Sequence, residues 1–442
     1  MIALRRALRL GNAPQVAFAG AGGKSAALFL LAGQFGVPVL VTTSTHLSAQ
    51  QTRQGDQHLV IGETSDISRM DAARLPPVTV LTGPIVEDDR ALALSDEALL
   101  ALSVFAHHHG LPLLIEADGA RQRALKAPAE HEPAIPPFVD AVVVVAGASG
   151  LDKPLDGQVV HRPKIFGELA DLQPGHAIGP QHLIKVLLHK QGGLKNIPAK
   201  ARRVALLNQA DTPELEGAAR GMAGALLTGF DAVLVAALRQ AAEVRAVYEP
   251  VAGILLAAGG SERLGKMKQL LDWKGKPFVG HIAETALAAG LRPIVVVTGA
   301  GAVKVEAALA GLDVRIVRNE NWREGQSSSV RAGLAALPQG VGAAIFLVVD
   351  QPQLPWALIE ALKAEHASTL APIVAPLVDG NRSNPVLFDR TTFPDFAPLQ
   401  GDVGGRAIFS KHQVSWIPWL DASLAIDVDK PEDYDRLLSQ AG

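Results

Sequence analysis

The stretch that most constrains this chain is Gly253 to Lys268, GILLAAGGSERLGKMK. Its apolar run, Ile254 to Ala257, has the character of a buried parallel strand, and it stops at Ala258-Gly259-Gly260-Ser261. Glycines let a backbone approach a bulky anion and offer its N–H groups as donors. Arg263, Lys266 and Lys268 follow within a few residues, and cations there add charge-assisted bonds to phosphate oxygens. The spacing is not G-x-x-x-x-G-K-[ST], so the nucleotide is handled differently from an ATPase. A strand–glycine loop of this kind needs an α/β sheet behind it.

A second such element lies near the start. Val16 to Ala19 reads as a strand, followed by Gly20-Ala-Gly22-Gly23-Lys24-Ser25 and an Ala/Leu-rich helix. Backbone donors and the helix dipole then face an anion, with Lys24 toward terminal phosphates and Ser25 toward Mg²⁺. Phe18 stands where a full P-loop has glycine, so the loop is short. Glu116 and Asp118, at the end of the strand Leu113–Ile115, suit Mg²⁺ coordination. Asn208 and Asp211 follow a later strand in the manner of the guanine-reading NKxD motif, with Gln209 in place of the lysine.

A length of 442 residues suggests two or three domains at about 150 residues each. Residues 236–250 read as a helical segment closing on Pro250, which puts the boundary near residue 249 and the domains at 1–249 and 250–442. Residues 51–77 read as polar and irregular, and His107–His109 as a solvated helix end. Beyond Pro250, apolar strands alternate with helices, so the expected class is α/β with two parallel-sheet domains. The first has a P-loop-like NTP-binding fold and the second a Rossmann-like nucleotidyltransferase fold.

A net charge of −3 gives no sign of a nucleic-acid binder. The absence of cysteine excludes disulfides and thiolate chemistry. No apolar run reaches the roughly 20 residues of a membrane span, and the arginine-interrupted N-terminus lacks a signal-peptide core. The expectation is a cytoplasmic protein without membrane or nucleic-acid partners.

Two further features belong to the second domain. Gly325-Gln-Ser327-Ser328-Ser329 opens a helix with more hydroxyls than a cap requires. Asp350 ends the strand-like run before QPQLP, where Mg²⁺ would bridge nucleotide phosphates, and Asp427 or Asp429 could complete the site.

Taken together, GAGGKS, VTTSTH, LIEADGARQRALKAPAEHEP, GLDKPL, HRP and LLNQAD resemble the YqeC family over residues 10–245. That family is associated with molybdenum and selenium hydroxylase cofactor biogenesis, and the resemblance implies a P-loop-like nucleotide-binding fold, for which GTP or ATP is the expected ligand. It also implies a molybdenum hydroxylase or its chaperone as partner. LLAAGGSERLGKMKQLL, GQSSSVRAGL, VVDQPQLP, NPVLF, GDVGGR and IDVDKPEDY resemble the MobA-like nucleotidyltransferases over residues 250–440, and among them the MocA-type molybdenum cofactor cytidylyltransferases. Guanylyltransferase relatives carry LAGG, whereas Leu256-Ala257-Ala258-Gly259 has the cytidylyl form. GNRSNPVLF departs from the usual Gly-His-Pro by placing Ser383-Asn384 before Pro385.

The resemblance implies transfer of CMP from CTP to a molybdopterin-type phosphate. Arg263, Lys268 and Asp350 would be catalytic, with Asp350 and Asp427 on Mg²⁺. Ala257 to Gly260 and Ser327 to Ser329 would hold nucleotide or acceptor. Nucleotidyl transfer to a sugar phosphate and a nucleotide-switched insertion chaperone are the alternatives.

Overall fold

The computed structural model describes residues 2–86, 90–260 and 264–440. It divides into two compact units, Met1–Tyr248 and Glu249–Gly442.

Among the described residues of the first unit a nine-stranded sheet forms the core. Its strands, in chain order, are β1 (Gln15–Gly20), β2 (Val39–Thr43), β3 (Gln57–Val60), β4 (Val78–Thr82), β5 (Leu113–Glu116), β6 (Ala141–Gly147), β7 (Arg202–Asn208), β8 (Ala232–Ala237) and β9 (Glu243–Tyr248). Their spatial order is β9-β8-β7-β6-β1-β5-β2-β4-β3. Every pairing is parallel except β8 with β9. Parallel strands covered on both faces read as apolar runs, and all seven residues of β6, AVVVVAG, are buried. The chain leaves β1 toward β5 and β2 on one side and β6 and β7 on the other. The carboxyl ends of β1, β5 and β6 therefore frame a crevice at the reversal point.

Two readings of the sequence change here. Residues 243–248 form the antiparallel edge strand β9, not a helix. Val244, Ala246 and Val247 are buried against β8, and Ala242 turns the chain with a φ of 50°. Tertiary pairing outweighs the helical pattern of AALRQAA. Residues 51–77 hold more order than their polarity suggests, with β3 on the sheet edge and a short helix at Thr64–Ser68. His107–His109 do end a helix, α2 (Asp96–His109), in solvent, while α1 (Lys24–Ala32) follows the first glycine loop.

The second unit has its own sheet of β10 (Val251–Ala257), β11 (Ile294–Thr298), β12 (Arg315–Arg318), β13 (Ala343–Val348), β14 (Ile373–Val378), β15 (Asn381–Arg382), β16 (Val386–Asp389) and β17 (Val414–Pro418). Among the described residues the order is β12-β11-β10-β13-β16-β14-β15, with β17 beside β14. The β12 to β13 half is parallel, and β16 runs antiparallel to both β13 and β14. Leu255, Val296 and Ile345 face one apolar layer, and Ile254, Val297 and Phe346 the opposite one. Helix α3 (Phe278–Ala288) presents Val279, Ile282, Ala283 and Ala286 to the first layer. Helix α4 (Gln326–Ala335) packs on β10, where Gly333 lets it approach Ile254. Both units are thus mixed α/β with mostly parallel sheets. Among the described residues no helix is long and apolar enough to cross a membrane.

Candidate functional site

In the second unit the candidate residues gather where β10 and β13 end. The loop after Ala257 is held by Gln269, a buried side chain that sequence reasoning passed over. Its amide donates to the carbonyls of Ala257 at 3.0 Å and Gly259 at 2.7 Å. The Ala258 carbonyl accepts from Ala300 N–H, and of the described residues of the loop Gly259 and Gly260 are exposed. Arg263 lies outside the described residues.

Lys268 sits between two carboxylates, at 2.7 Å from Asp429 and 3.5 Å from Asp350. Burial pushes the Asp350 carboxyl up, and Lys268 opposes that in part. Asp350 Oδ1 is buried with no hydrogen-bond partner among the described residues. Asp427 is raised by burial and by the neighbouring Asp350, and accepts from Gln351 Nε2 at 2.8 Å. The Asp350 carbonyl in turn accepts from Val428 N–H at 3.0 Å, which fixes the Asp427 segment beside it. No group of three or more acidic or imidazole side chains gathers as a metal cage among the described residues. Two carboxylates, one with an orphaned buried oxygen, nonetheless fit a divalent cation that takes its other ligands from water and phosphate.

The three serines divide. Ser328 and Ser329 both accept from Asn319 Nδ2, at 2.8 and 3.0 Å, and Ser328 donates to the Gly325 carbonyl. They shape the turn into α4, and the Ser328 hydroxyl is engaged as both donor and acceptor. Ser327 alone keeps a buried hydroxyl without a partner. Beside these residues opens a cleft of about 320 Å³ lined by Leu256, Gln351, Asp427, Arg382, Arg406 and Phe409, among others.

In the first unit a larger cleft, about 980 Å³, opens over Gly22, Gly23, Lys24 and Ser25. Gly22 and Gly23 have φ of 79° and 108°, and a Cβ on Gly22 would meet the backbone of Gly147 at 2.2 Å. Only glycine fits that crossing. Ser25 Oγ donates to Glu116 at 2.7 Å and accepts from Gln51 Nε2 at 2.7 Å. Hydroxyl and carboxylate therefore lie side by side, as a cation there would require.

Asp118 does not join them. It accepts from Gly20 N–H and pairs with Lys24 at 3.1 Å and Lys126 at 2.8 Å, so its charge is spent inside the fold. Lys24 also donates to the Gly20 carbonyl at 2.8 Å. Burial would depress its ammonium, but Asp118 and Glu116 hold it above the usual range. The chain of charges continues from Lys126 to Glu132 at 2.7 Å and from Glu132 to Arg162 at 2.7 Å. Burial would raise Glu132, yet Arg162 and Lys126 pull it down to about 2. Burial together with Arg162 and Lys126 lowers His161 to about 4.

The guanine-reading expectation also shifts. Asn208 is buried, donating to the Gly22 carbonyl at 2.8 Å and accepting from Leu238 N–H at 3.1 Å. It braces the loop from the cleft wall, with its amide engaged by the backbone on both its nitrogen and its oxygen. Asp211 is not among the residues lining the cleft, whereas Gln209 and Arg239 are.

The second unit's glycine loop, lysine and carboxylate pair at the carboxyl edge of a parallel sheet have the form of a nucleotidyltransferase. The YqeC protein family matches residues 16–164, and the MobA-like NTP transferase domain matches residues 253–415. The chain belongs to the YqeC family through its first unit and to the MobA-like NTP transferases through its second. Uncharacterized protein YqeC of Escherichia coli K12 is 33% identical over 205 residues, 44% of this chain and 75% of that protein. Nicotine blue oxidoreductase of Paenarthrobacter nicotinovorans is 35% identical over 204 residues, 42% of this chain and 96% of that protein. Among solved structures, Rv0371c of Mycobacterium tuberculosis H37Rv is 29% identical, with 43% of this chain and 98% of that one covered at a TM-score of 0.39.

Proposed function

We propose that the second unit transfers CMP from CTP to the terminal phosphate of a molybdopterin-type acceptor. A phosphate oxygen of the acceptor forms a bond to the α-phosphorus as the bond to the β-phosphate breaks, and pyrophosphate leaves. The nucleophile is already anionic, so positioning and electrostatics carry the rate and no strong base is needed. The observation that supports this reading most is the buried, unpartnered Asp350 oxygen beside Asp427 and Lys268.

Gly259 and Gly260 would offer N–H groups to the triphosphate, with Arg263 and Lys268 supplying positive charge. Asp350 and Asp427 would hold Mg²⁺, which supplies charge neutralisation to the phosphates when bound. Lys268 opposes in part the upward push that burial gives both carboxyls. Ser327, whose buried hydroxyl has no partner among the described residues, would meet the nucleotide. The Leu256-Ala257-Ala258-Gly259 form supports CTP over GTP.

The first unit would bind GTP or ATP over Gly22 to Ser25, with Ser25 and Glu116 as the cation ligands. It would then deliver the finished cofactor to a molybdenum hydroxylase or its chaperone in the cytoplasm. The name of the Paenarthrobacter relative favours a second reading, an oxidoreductase.

The test is pyrophosphate release with Mg²⁺, a molybdopterin acceptor, and CTP or GTP in parallel, beside an arm that follows oxidation of reduced nicotinamide dinucleotide. Release with CTP that needs the acceptor is expected. Release with GTP alone would overturn the base assignment, and nicotinamide oxidation without pyrophosphate would replace transfer by redox chemistry.

A further inference from the structure

The cleft beside Asp427 carries two guanidiniums, Arg382 and Arg406, that the transfer chemistry does not use. Arg382 ends the short strand β15, and its guanidinium carbon lies over the Phe409 ring, 4.6 Å from its centroid. Arg406 comes from the turn Gly405–Lys411, pressed onto the sheet through two glycines. A Cβ on Gly405 would meet Phe388 at 2.6 Å, and one on Gly404 would meet Gln326 at 2.4 Å. The sequence GDVGGR therefore does a steric job, bringing Arg406 and Phe409 to the cleft's wall.

Among the described residues neither guanidinium has an ion-pair partner. Asp379 lines the same cleft from an exposed turn, and Asp427 is engaged by Gln351. Two like charges converging on one cavity repel unless an anion lies between them, and a planar guanidinium matches a phosphate with paired donors. The charges already feel each other, since burial and Arg406 both lower Arg382. Around them, Phe346, Phe388 and Phe409 give an apolar wall, and Asn381, Ser383 and Asn384 give polar groups. A volume of about 320 Å³ suits a ring compound carrying one phosphate.

We propose that Arg382 and Arg406 form the phosphate clamp of the acceptor site, which takes the phosphate monoester of a flat ring system and seats it beside Asp427. The transferase reading supplies what happens after binding; the clamp itself rests on the cleft alone.

The test is calorimetric titration of the full chain with phenyl phosphate, and with phenol as the neutral control. Wild type should bind phenyl phosphate and not phenol. Arg406→Met, on an exposed side chain that folding does not require, should weaken binding at least tenfold, and Arg382→Met likewise. Lys276→Ala, an exposed cation of the same unit that does not line the cleft, should leave binding within twofold, which separates the clamp from a general loss of positive charge. Equal affinity in wild type and both arginine variants, an equal loss in Lys276→Ala, or no binding to wild type would each overturn the clamp. Intact phenyl phosphate binding in a chain that releases no pyrophosphate with any acceptor would sink the transferase reading and leave the clamp standing.

Discussion

Removing Asp118 should unfold the first unit's centre while sparing the second unit. The side chains of Asp118, Lys24 and Lys126 are 2%, 4% and 1% exposed, so their charges depend on one another and not on water. In Asp118→Ala, Lys126 keeps Glu132 and the Gly119 carbonyl, whereas Lys24 keeps only the Gly20 carbonyl. Gly20 N–H also loses its acceptor. Breaking a buried pair by deleting one partner costs about 3–5 kcal/mol, a large part of the roughly 5–15 kcal/mol that holds a domain together.

Asp118→Asn keeps the shape and removes the charge, so it should cost nearly as much. The chain offers a way to see which unit responds. All five tryptophans, Trp273, Trp322, Trp356, Trp416 and Trp419, lie in the second unit, while both units contribute to far-ultraviolet circular dichroism. In urea, the circular dichroism transition of the variants should move to lower denaturant, and the tryptophan transition should stay. Variants within about 0.5 kcal/mol of wild type, well under the buried-pair cost, would refute the claim that this network carries the fold.

The same network sets an acid limit. Glu132 has a folded pKa lowered from 4.5 to about 2, so its stabilisation is complete above pH 4.5 and is lost as pH falls toward 2. The drop corresponds to roughly 3 kcal/mol, reduced to about 2 because Arg162 is partly exposed and screened. Urea midpoints by circular dichroism between pH 5 and 2.5 should show it, and Glu132→Gln should flatten that slope. Gly22→Ala should destabilise the first unit by more than about 2 kcal/mol, since both its φ and the Gly147 backbone forbid a Cβ. A melting profile like wild type's would contradict that geometry. Gln269→Ala leaves the carbonyls of Ala257 and Gly259 without their donor and should weaken CTP binding about tenfold by calorimetry, at a cost of about 1.4 kcal/mol. Unchanged affinity would show that the loop does not need its brace.

Much of this architecture was legible because parallel strands announce themselves. Runs such as Val142–Val145 and Ile294–Val297 are apolar on both faces, and each stops at a glycine or a polar residue where a ligand edge begins. Asp350 could be placed at such an edge from five apolar residues before it. The edge strand β9 was hidden because its residues suit a helix until β8 stands beside them. Partnership was hidden too. Asp118 reads as a metal ligand until Lys126, distant from Lys24 in sequence, is seen to share it. Ser328 and Ser329 read as ligand hydroxyls until Asn319 is found between them. Arg382 and Arg406 sit in two motifs read separately, GNRSNPVLF and GDVGGR, and what joins them is the fold of two distant segments over one aromatic wall.

The central claim is that the Asp350 end of β13 moves a nucleotidyl group. The direct measurement follows label from α-³²P CTP into a molybdopterin acceptor, with Mg²⁺, in wild type and Asp350→Ala. The account predicts labelled acceptor and stoichiometric pyrophosphate from wild type. It also predicts at least a 100-fold loss in the variant, the scale expected when a transition-state charge loses its support. Label that reaches the acceptor equally well without the Asp350 carboxylate would contradict it.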